Sequence, residues 1–461
     1  MRMTTAVTQP LSETCAEEPS ASIDTPEEAH DRGGLLRRVL GRGSWALTDQ
    51  AFFSASNWLL SVLLANWLAS EAEYGAFVVA FGWFLLIATF HNSFVLEPML
   101  VFGPRRFGER LRPYKGALAA MSVTLACVGG VLLAGIAGAY VLLGEGQAAG
   151  EILAFAVAAP LILLLWAMRK ACYVDLQPRN AALAGAGYMV LMVGGMFAAH
   201  GFGVLSIPTA VAVMAVSSIL AAGWLALREK VARPSLSIVG EAAGDHWRFG
   251  RWALLSGLLT LLPEQIYYLM LPVLEPETGY ADAAALRAIQ NLFQPFLQLI
   301  TAVMSLLVPV YVRQTSSADL RRMMRLAMLG LCGLPLVWML LMGLTHETLV
   351  SWLYGGRYTD ASGMVWLLGL VPVGYGYIAT RAGVLAARER PDQIFLAMAA
   401  GGTFTITGGL LFAHWYGLWG IAWAWVISTA LGCVVMDLLT RRQLHKHPVG
   451  SVDAAKGARG D

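Results

Sequence analysis

Residues 261–268 read Leu261-Leu262-Pro263-Glu264-Gln265-Ile266-Tyr267-Tyr268, which places a carboxylate in the middle of a long apolar run. The run covers residues 250–274, enough for a membrane-spanning helix, which needs about 20 residues. A charged side chain at the bilayer centre costs about 2.5–3.5 kcal/mol on insertion scales, so chains rarely keep one without a use. We therefore expect Glu264 to be an ion-coupling residue that binds a proton or another cation.

A structural role for Glu264 is the alternative interpretation. Burial disfavours the charged form of a carboxyl group, so a neutral side chain would hydrogen-bond to a neighbouring helix. Pro263 removes one backbone hydrogen bond, and we expect the helix to kink there under either interpretation.

The next apolar run, expected over residues 285–311, carries a stripe of polar side chains. The stripe consists of Arg287, Gln290, Asn291, Gln294 and Gln298. Residues at this spacing lie on one face of a helix. Lipid cannot satisfy such side chains, so this face must look into the bundle or into a water-filled cavity. We expect these five residues to bind substrate in a central cavity.

The composition is that of a polytopic membrane protein. Of the 461 residues, 57% are hydrophobic and 13% are charged, which is about half the charged fraction of soluble domains. The net charge is +2, and no nucleic-acid partner is expected. The five cysteines have no paired spacing that would indicate disulfides or a metal site. Without a metal-ligand cluster, nucleophile motif or phosphate loop in the sequence, we expect neither an enzyme nor a cofactor.

Twelve apolar runs are long enough to cross a membrane. They cover residues 45–68, 77–101, 116–142, 151–170, 181–199, 203–227, 250–274, 285–311, 323–344, 363–386, 394–413 and 417–440. Two pairs of runs have no charged residue between them and are separated by short turns, His200-Gly201-Phe202-Gly203 and His414-Trp415-Tyr416-Gly417. The fold class expected is an all-α membrane protein with twelve transmembrane helices.

Lysine and arginine residues predict the orientation, because basic loops stay in the cytoplasm. If the chain begins inside, all 32 Lys and Arg residues fall on inner segments except Arg287, Arg357 and Arg381. Both termini are therefore expected in the cytoplasm. The expected domains are a disordered, basic N-tail (1–44), an N-lobe (45–228), a cytoplasmic linker (229–249), a C-lobe (250–442) and a cytoplasmic C-tail (443–461).

The two halves of the chain repeat. The pattern His200-x-Phe202-Gly203-x-x-x-Ile207 recurs 214 residues later as His414-x-Tyr416-Gly417-x-x-x-Ile421. Pro178 likewise recurs 213 residues later as Pro391. Six helices repeated in one orientation predict two six-helix lobes, related by a pseudo-twofold axis along the membrane normal.

Two further side chains complete the candidate cavity. Asn57 lies on the polar face of the first helix, which corresponds to the face of the seventh helix that carries Glu264. Arg381 lies about a turn and a half from the cytoplasmic end of the tenth helix. For Arg381 and for Arg287, the alternative is a side chain that extends to the membrane surface.

Four groups of motifs are distributed over the two halves. They are Ala65-Asn66-Trp67-Leu68 with Glu73-Tyr74-Gly75-Ala76-Phe77; Phe249-Gly250-Arg251; Gly279-Tyr280-Ala281-Asp282-Ala283-Ala284; and Gly417-Leu418-Trp419-Gly420-Ile421-Ala422-Trp423-Ala424. With the helix count, they resemble the polysaccharide-transporter (Wzx-like) flippases of the multidrug/oligosaccharidyl-lipid/polysaccharide (MOP) exporter superfamily over residues 45–442. The resemblance implies alternating access and a basic central cavity that receives undecaprenyl-diphosphate-linked sugars.

The residues and the resemblance together predict a flippase for a lipid-linked oligosaccharide in the bacterial inner (plasma) membrane. The substrate would be an O-antigen, capsule or exopolysaccharide repeat unit, and proton or sodium would be the coupling ion. Inner membrane lipids, a polysaccharide polymerase and glycosyltransferases are the other expected partners. A MATE-type drug/cation antiporter is the first alternative, because Glu264 suits it. A membrane-embedded polymerase or ligase is less favoured, because the longest outer loop (Thr345–Ser362) is too short for a catalytic domain.

Overall fold

Helices form nearly all of the computed structural model, which describes residues 26–312, 316–388 and 390–446. No β-strand occurs in these ranges. The helices are α1 (Pro26–Trp67), α2 (Glu71–His91), α3 (Glu97–Arg106), α4 (Leu111–Leu142), α5 (Gly146–Val174), α6 (Pro178–Gly201), α7 (Ile207–Arg228), α8 (Leu236–Leu274), α9 (Gly279–Asn291), α10 (Gln294–Val312), α11 (Ser317–Leu344), α12 (His346–Tyr354), α13 (Val365–Leu368), α14 (Leu370–Ala387), α15 (Pro391–Ile406) and α16 (Gly408–Lys446).

Helices α1 to α7 form the first lobe. Within it α1 packs on α6, α4 packs on α5, and α7 packs on α5 and α6. Small residues permit these contacts: a Cβ atom on Gly130 of α4 would lie 2.5 Å from the carbonyl oxygen of Ala156 on α5. In a membrane, close packing of this kind takes the place of the hydrophobic effect in holding helices together.

The second lobe consists of the membrane-embedded part of α8 and the helices that follow it. Here α14 packs on α10, α11 and α16, and α15 packs on α16 and α8. A close approach at Gly401 of α15 again allows the contact, because a Cβ atom there would lie 2.8 Å from the Ser428 carbonyl oxygen. The two lobes meet mainly where α2 packs against α8 and α9.

Eight helical segments in the described part of the chain are long and apolar enough to cross a membrane, and a ninth qualifies if bent α8 is one span. The eight are Glu71–Pro104, Gly108–Leu142, Gly146–Val174, Pro178–Gly201, Ile207–Arg228, Ala318–Leu344, Ser362–Ala387 and Gly408–Leu444. Each expected span coincides at least in part with a helix, so the all-helical fold is confirmed. The number twelve and the cytoplasmic location of the termini stay predictions.

Several expected spans are interrupted. The span at 285–311 is two helices, because a turn at Leu292 and Phe293 interrupts the α-helical hydrogen bonds between α9 and α10. The span at 77–101 contains a π-helical turn over Asn92–Leu96. The span at 394–413 breaks at Thr407, so its last residues belong to α16. Hydrophobicity alone does not reveal such breaks, since the residues on either side remain apolar.

Two expected features of the sequence reappear in the backbone. Helix α8 bends by 54° between Leu236–Leu259 and Leu261–Leu274, where Pro263 cannot donate to the carbonyl of Leu259. Gly203 and Gly417, the repeated glycines of the two short turns, both adopt positive φ, 67° and 53°. Glycine adopts positive φ most readily, because it has no Cβ. The repeat is therefore visible in the conformation as well as in the sequence.

The ends of the expected domains lie partly outside the described residues, namely 1–25 of the N-tail and 447–461 of the C-tail. Helix α1 begins at Pro26, earlier than the first expected span. The expected linker 229–249 contains the start of α8, which lies against the first lobe. There His246 Nδ1 contacts the Phe94 carbonyl oxygen at 2.8 Å, and Arg106 pairs with Asp245.

Candidate functional site

A cavity of about 500 Å³ lies between the two lobes on the expected inner side. Its walls are formed by α2, the turn after it, the start of α3 and α5 in the first lobe, and by α8 in the second. The polar side chains that line it are Thr89, Asn92, Glu97 and Glu264, together with the indole of Trp166. A concave site with aromatic walls and a few polar groups is the usual form of a ligand-binding site.

The π-helical turn between α2 and α3 positions two of these polar groups. Asn92 opens the turn and Glu97 follows it directly, and Asn92 Nδ2 donates a 2.7 Å hydrogen bond to Glu97 Oε1. The extra residue of a π-turn rotates the next helical turn, and such turns are frequent at functional sites. No pattern in the sequence signals the turn, and Glu97 is not among the cavity residues that the sequence predicts.

Glu264 also borders a second, much smaller cavity inside the C-lobe. This cavity measures about 20 Å³ and is lined by Gln290, Phe293, Tyr375 and Trp425 among others. A volume of about 10–15 Å³ suffices for one water molecule. Glu264 therefore lies between a large interlobe cavity and a space the size of a water molecule, as an ion-coupling group would need to.

Arg287 and Gln290 lie together near Glu264. Arg287 Nη1 donates a 3.3 Å hydrogen bond to Gln290 Oε1, which also accepts a bond from the Tyr268 hydroxyl. Gln290 and Glu264 line the same small cavity. Among the residues that the structure describes, none forms an ion pair with Arg287 within 4.0 Å. Its positive charge is therefore not neutralised by direct contact with a described carboxylate.

Asn291 takes part in a contact between the lobes. Its Nδ2 donates a 2.7 Å hydrogen bond to Ser61 Oγ, and Ser61 also bonds to the hydroxyl of Tyr74. Asn291 is 1% exposed and Ser61 5% exposed. In this conformation Asn291 joins α9 to α1, and it does not lie on the wall of either cavity described above.

Gln298 takes part in a second hydrogen bond between the two lobes. Gln50 Nε2 donates a 2.9 Å hydrogen bond to Gln298 Oε1, which links α1 to α10. Gln294 and Asn57 are both partly buried. The expected stripe is thus divided between a group near Glu264 and groups that hold the lobes together.

Arg381 lies within the C-lobe and already has an acidic partner. Its Nε donates a 2.7 Å bond to Asp437 Oδ1, and its guanidinium group lies 3.7 Å from the centre of the Tyr377 ring. The tyrosine hydroxyl donates to the same carboxylate oxygen at 2.9 Å. These contacts indicate a structural ion pair, in place of a side chain that extends to the membrane surface.

The charges on the interlobe cavity are opposite to those implied by the resemblance. Its described lining residues include two carboxylates, Glu97 and Glu264, and no basic side chain. Arg287 lies beside the smaller cavity and supplies the positive charge near Glu264. A ligand that spans both regions would therefore meet acidic and basic groups at different positions.

The fold of this chain is similar to several solved structures of membrane transporters. It resembles an inward-facing multidrug resistance MATE transporter of the MOP superfamily, with a TM-score of 0.68 and 15% identity over 87% of this chain and 98% of the other. It also resembles the lipid II flippase MurJ in an inward closed conformation, with a TM-score of 0.64 and 12% identity over 86% and 87%.

A third solved structure is a MOP-superfamily transporter from Pyrococcus furiosus, described as having a binding pocket of reversed polarity. Its TM-score is 0.62, with 14% identity over 89% of this chain and 96% of the other. No protein-family model matches the sequence, and no curated protein sequence matches it. At these identities the likeness establishes the fold alone: this chain is folded like the solved MATE and MurJ structures.

Proposed function

We propose that this protein is a flippase that moves a lipid-linked oligosaccharide across the bacterial inner membrane by alternating access. The observation that carries the proposal is Arg287, a cation at the lobe interface that has no described carboxylate in ion-pair contact. Arginine binds phosphate oxygens through paired N–H donors. We assign the diphosphate of an undecaprenyl-diphosphate carrier to Arg287, and we leave Arg381 out because it is already held in an ion pair with Asp437.

The interlobe cavity suits the sugar part of such a substrate. Glu97, Asn92 and Thr89 offer hydrogen-bond acceptors and donors to hydroxyl groups, and Trp166 offers an apolar face to a sugar ring. Because the described charges on this cavity are acidic, the sugars accepted there should be neutral or carry amino groups. The lipid tail would stay in the bilayer while the polar head crosses.

Glu264 is the residue we assign to ion coupling. It contacts both cavities, so a proton or sodium ion bound there could exchange with one side of the membrane and be sensed by Arg287 and Gln290. Coupling needs a group whose charge is compensated differently in the two states of the transporter. The position of Glu264 at the bend in α8 supports this role.

A MATE-type drug/cation antiporter is the second candidate. The observation that favours it is the pair Glu97 and Glu264 on one cavity, because an acidic cavity attracts cationic drugs. The two candidates make opposite use of the charges near the interface. An anionic carrier depends on Arg287, whereas a cationic drug depends on the two carboxylates.

Transport into proteoliposomes distinguishes the two functions. We expect uptake of a radiolabelled undecaprenyl-diphosphate oligosaccharide with neutral sugars, and no uptake of a cationic dye. Arg287→Gln should reduce saccharide transport at least tenfold, while Arg322→Gln, at an exposed site on α11, should have no effect. Dye transport that survives Arg287→Gln and is lost in Glu97→Gln would establish the antiporter instead.

A further inference from the structure

The two lobes differ in one outer connection. In the N-lobe, α4 and α5 are joined by residues 143–145 only. The corresponding connection of the C-lobe, between α11 and α13, contains the nine-residue helix α12 and the turn after it. We call residues 345–361 the cap segment. It contains Arg357, the one basic residue that the sequence assigns to an outer loop.

The backbone of the cap segment turns sharply towards the first lobe. Gly355 and Gly356 have φ values of 63° and 88°, and Tyr358 has a φ of 62°. Glycine adopts this region without strain, whereas a tyrosine with positive φ needs surrounding contacts to hold it. Tyr358 is 5% exposed and its ring lies 6.4 Å from that of Tyr74 on α2. The turn thus brings Arg357 over the end of α1.

The end of α1 offers backbone acceptors to Arg357. The amide of Ala69, which would continue the helix by bonding to Ala65, instead donates to Glu73 Oε2 at 2.9 Å. Arg357 Nη1 lies 3.1 Å from the Ala65 oxygen and 2.9 Å from the Leu68 oxygen. The last carbonyls of a helix carry a partial negative charge, so a guanidinium group is a favourable partner. Arg357 therefore completes the C-terminus of a helix in the other lobe.

A reciprocal bond runs in the opposite direction across the same boundary. Asn66 Nδ2 on α1 donates a 2.9 Å hydrogen bond to the Leu353 oxygen on α12. Separation of the lobes on this side would break both contacts. Arg357 bonds to neutral carbonyl groups, so loss of these hydrogen bonds leaves no unpaired carboxylate behind. Water can take the place of Arg357 at the carbonyl oxygens. Such bonds hold a closed state without making it permanent.

We propose that Arg357 is a latch, which holds the outer side of the transporter closed in the conformation described here and leaves α1 when that side opens. The inference rests on the alternating access proposed above and is independent of the substrate. It predicts that removal of the latch raises the population of the outward-open state without changing the chemistry of the cavity.

The experiment measures access to the lobe interface from outside. Ser61→Cys, in a background with the native cysteines replaced, puts a thiol at the Ser61–Asn291 contact, which is buried while the outer side is closed. Intact cells are treated with a membrane-impermeant maleimide, and the labelling rate is normalised to denatured protein. Arg357→Ala should raise this rate roughly tenfold, as loss of charge-assisted bonds predicts. Arg357→Lys should raise it less, because lysine keeps the charge.

Arg322→Ala, which removes an exposed arginine of α11, is the matched control and should leave the labelling rate unchanged. Asn66→Ala should also raise the labelling rate. It provides a second test if Arg357→Ala does not accumulate. An unchanged rate in Arg357→Ala would overturn the proposal, as would an equal increase in the control. Because the readout is accessibility of a thiol and no transport is measured, these results are independent of whether the protein moves lipid-linked sugars.

Discussion

Arg169 and Arg381 occupy corresponding positions in the two lobes, 212 residues apart on α5 and α14, and each is paired with an aspartate. Arg169 donates to Asp49 Oδ1 at 2.7 and 3.0 Å, and Arg381 donates to Asp437 Oδ1 at 2.7 Å. A tyrosine four residues away, Tyr173 or Tyr377, donates to the same aspartate. Each lobe thus holds a cluster of arginine, aspartate and tyrosine, although the aspartate comes from α1 in one lobe and from α16 in the other.

The two clusters should differ in their contribution to stability. The side chains of Asp49 and Arg169 are 4% and 8% exposed, whereas those of Asp437 and Arg381 are 16% and 15% exposed. Removal of one partner from a buried pair costs about 3–5 kcal/mol, because the other charge stays buried. Asp49→Asn should therefore lower the thermal unfolding midpoint in detergent more than Asp437→Asn. Asp392→Asn, in an exposed pair with Arg390, should leave it nearly unchanged. Equal effects of all three would contradict this assignment.

Glu264→Gln should uncouple transport from the ion gradient. Glutamine keeps the size of the side chain and much of its hydrogen bonding but cannot ionise. We expect normal abundance, sharply reduced substrate movement and loss of the response to a pH or sodium gradient, while Glu264→Asp should retain part of the activity. Proteoliposomes with imposed gradients provide the measurement, and Glu277→Gln at an exposed site beyond the same helix is the control. Wild-type transport with unchanged ion dependence would leave only the structural role for Glu264.

The orientation can be tested by labelling of single cysteines in a cysteine-free background. Glu71→Cys, Gln147→Cys and Thr278→Cys should react from the periplasm with an impermeant reagent. Gly108→Cys and Ser316→Cys should react only after permeabilisation. The reason is the distribution of lysine and arginine, which puts the last two positions on inner segments. Labelling of either inner position in intact cells would contradict the map of twelve helices.

A cross-link across the lobe interface should arrest transport. Ser61 and Asn291 are in hydrogen-bond contact at 2.7 Å, so cysteines at both positions can be joined by a short bifunctional thiol reagent. The cross-link keeps α1 and α9 together and should block outward opening, and a reducible linker should restore transport on cleavage. Each single-cysteine variant treated in the same way is the control. Full transport by the cross-linked protein would contradict alternation between two lobes.

Glu97 should affect transport through its contact with the ligand in the interlobe cavity. Its hydrogen bond from Asn92 fixes one carboxylate oxygen and leaves the other for a ligand. Glu97→Gln should weaken saccharide transport several-fold and allow acidic sugars to be carried, because the repulsion between carboxylates is removed. A comparison of neutral and uronic-acid-containing saccharides in proteoliposomes measures this selectivity. Equal loss for both sugar types would argue against a charge filter.

The sequence by itself determined features that depend on neighbours in the chain. Apolar runs predicted where helices form, and Pro263 predicted the bend in α8. The repeated glycines predicted two turns, and both Gly203 and Gly417 adopt positive φ. The carboxylate in an apolar run marked Glu264 as a cavity residue, and it does line two cavities. These are consequences of local geometry and of the cost of charge in lipid.

The tertiary structure decided which helix each polar face meets. Gln290 turned towards Arg287, whereas its neighbour Asn291 bonded to Ser61 on another lobe. Asp437 forms an ion pair with Arg381, and a π-turn directs Glu97 into the cavity. Arg357 donates a hydrogen bond to the Leu68 oxygen, which lies 289 residues earlier in the chain. Periodicity specifies the face of a helix on which a side chain lies, but the partner across that face depends on the packing of distant segments, which no local pattern encodes.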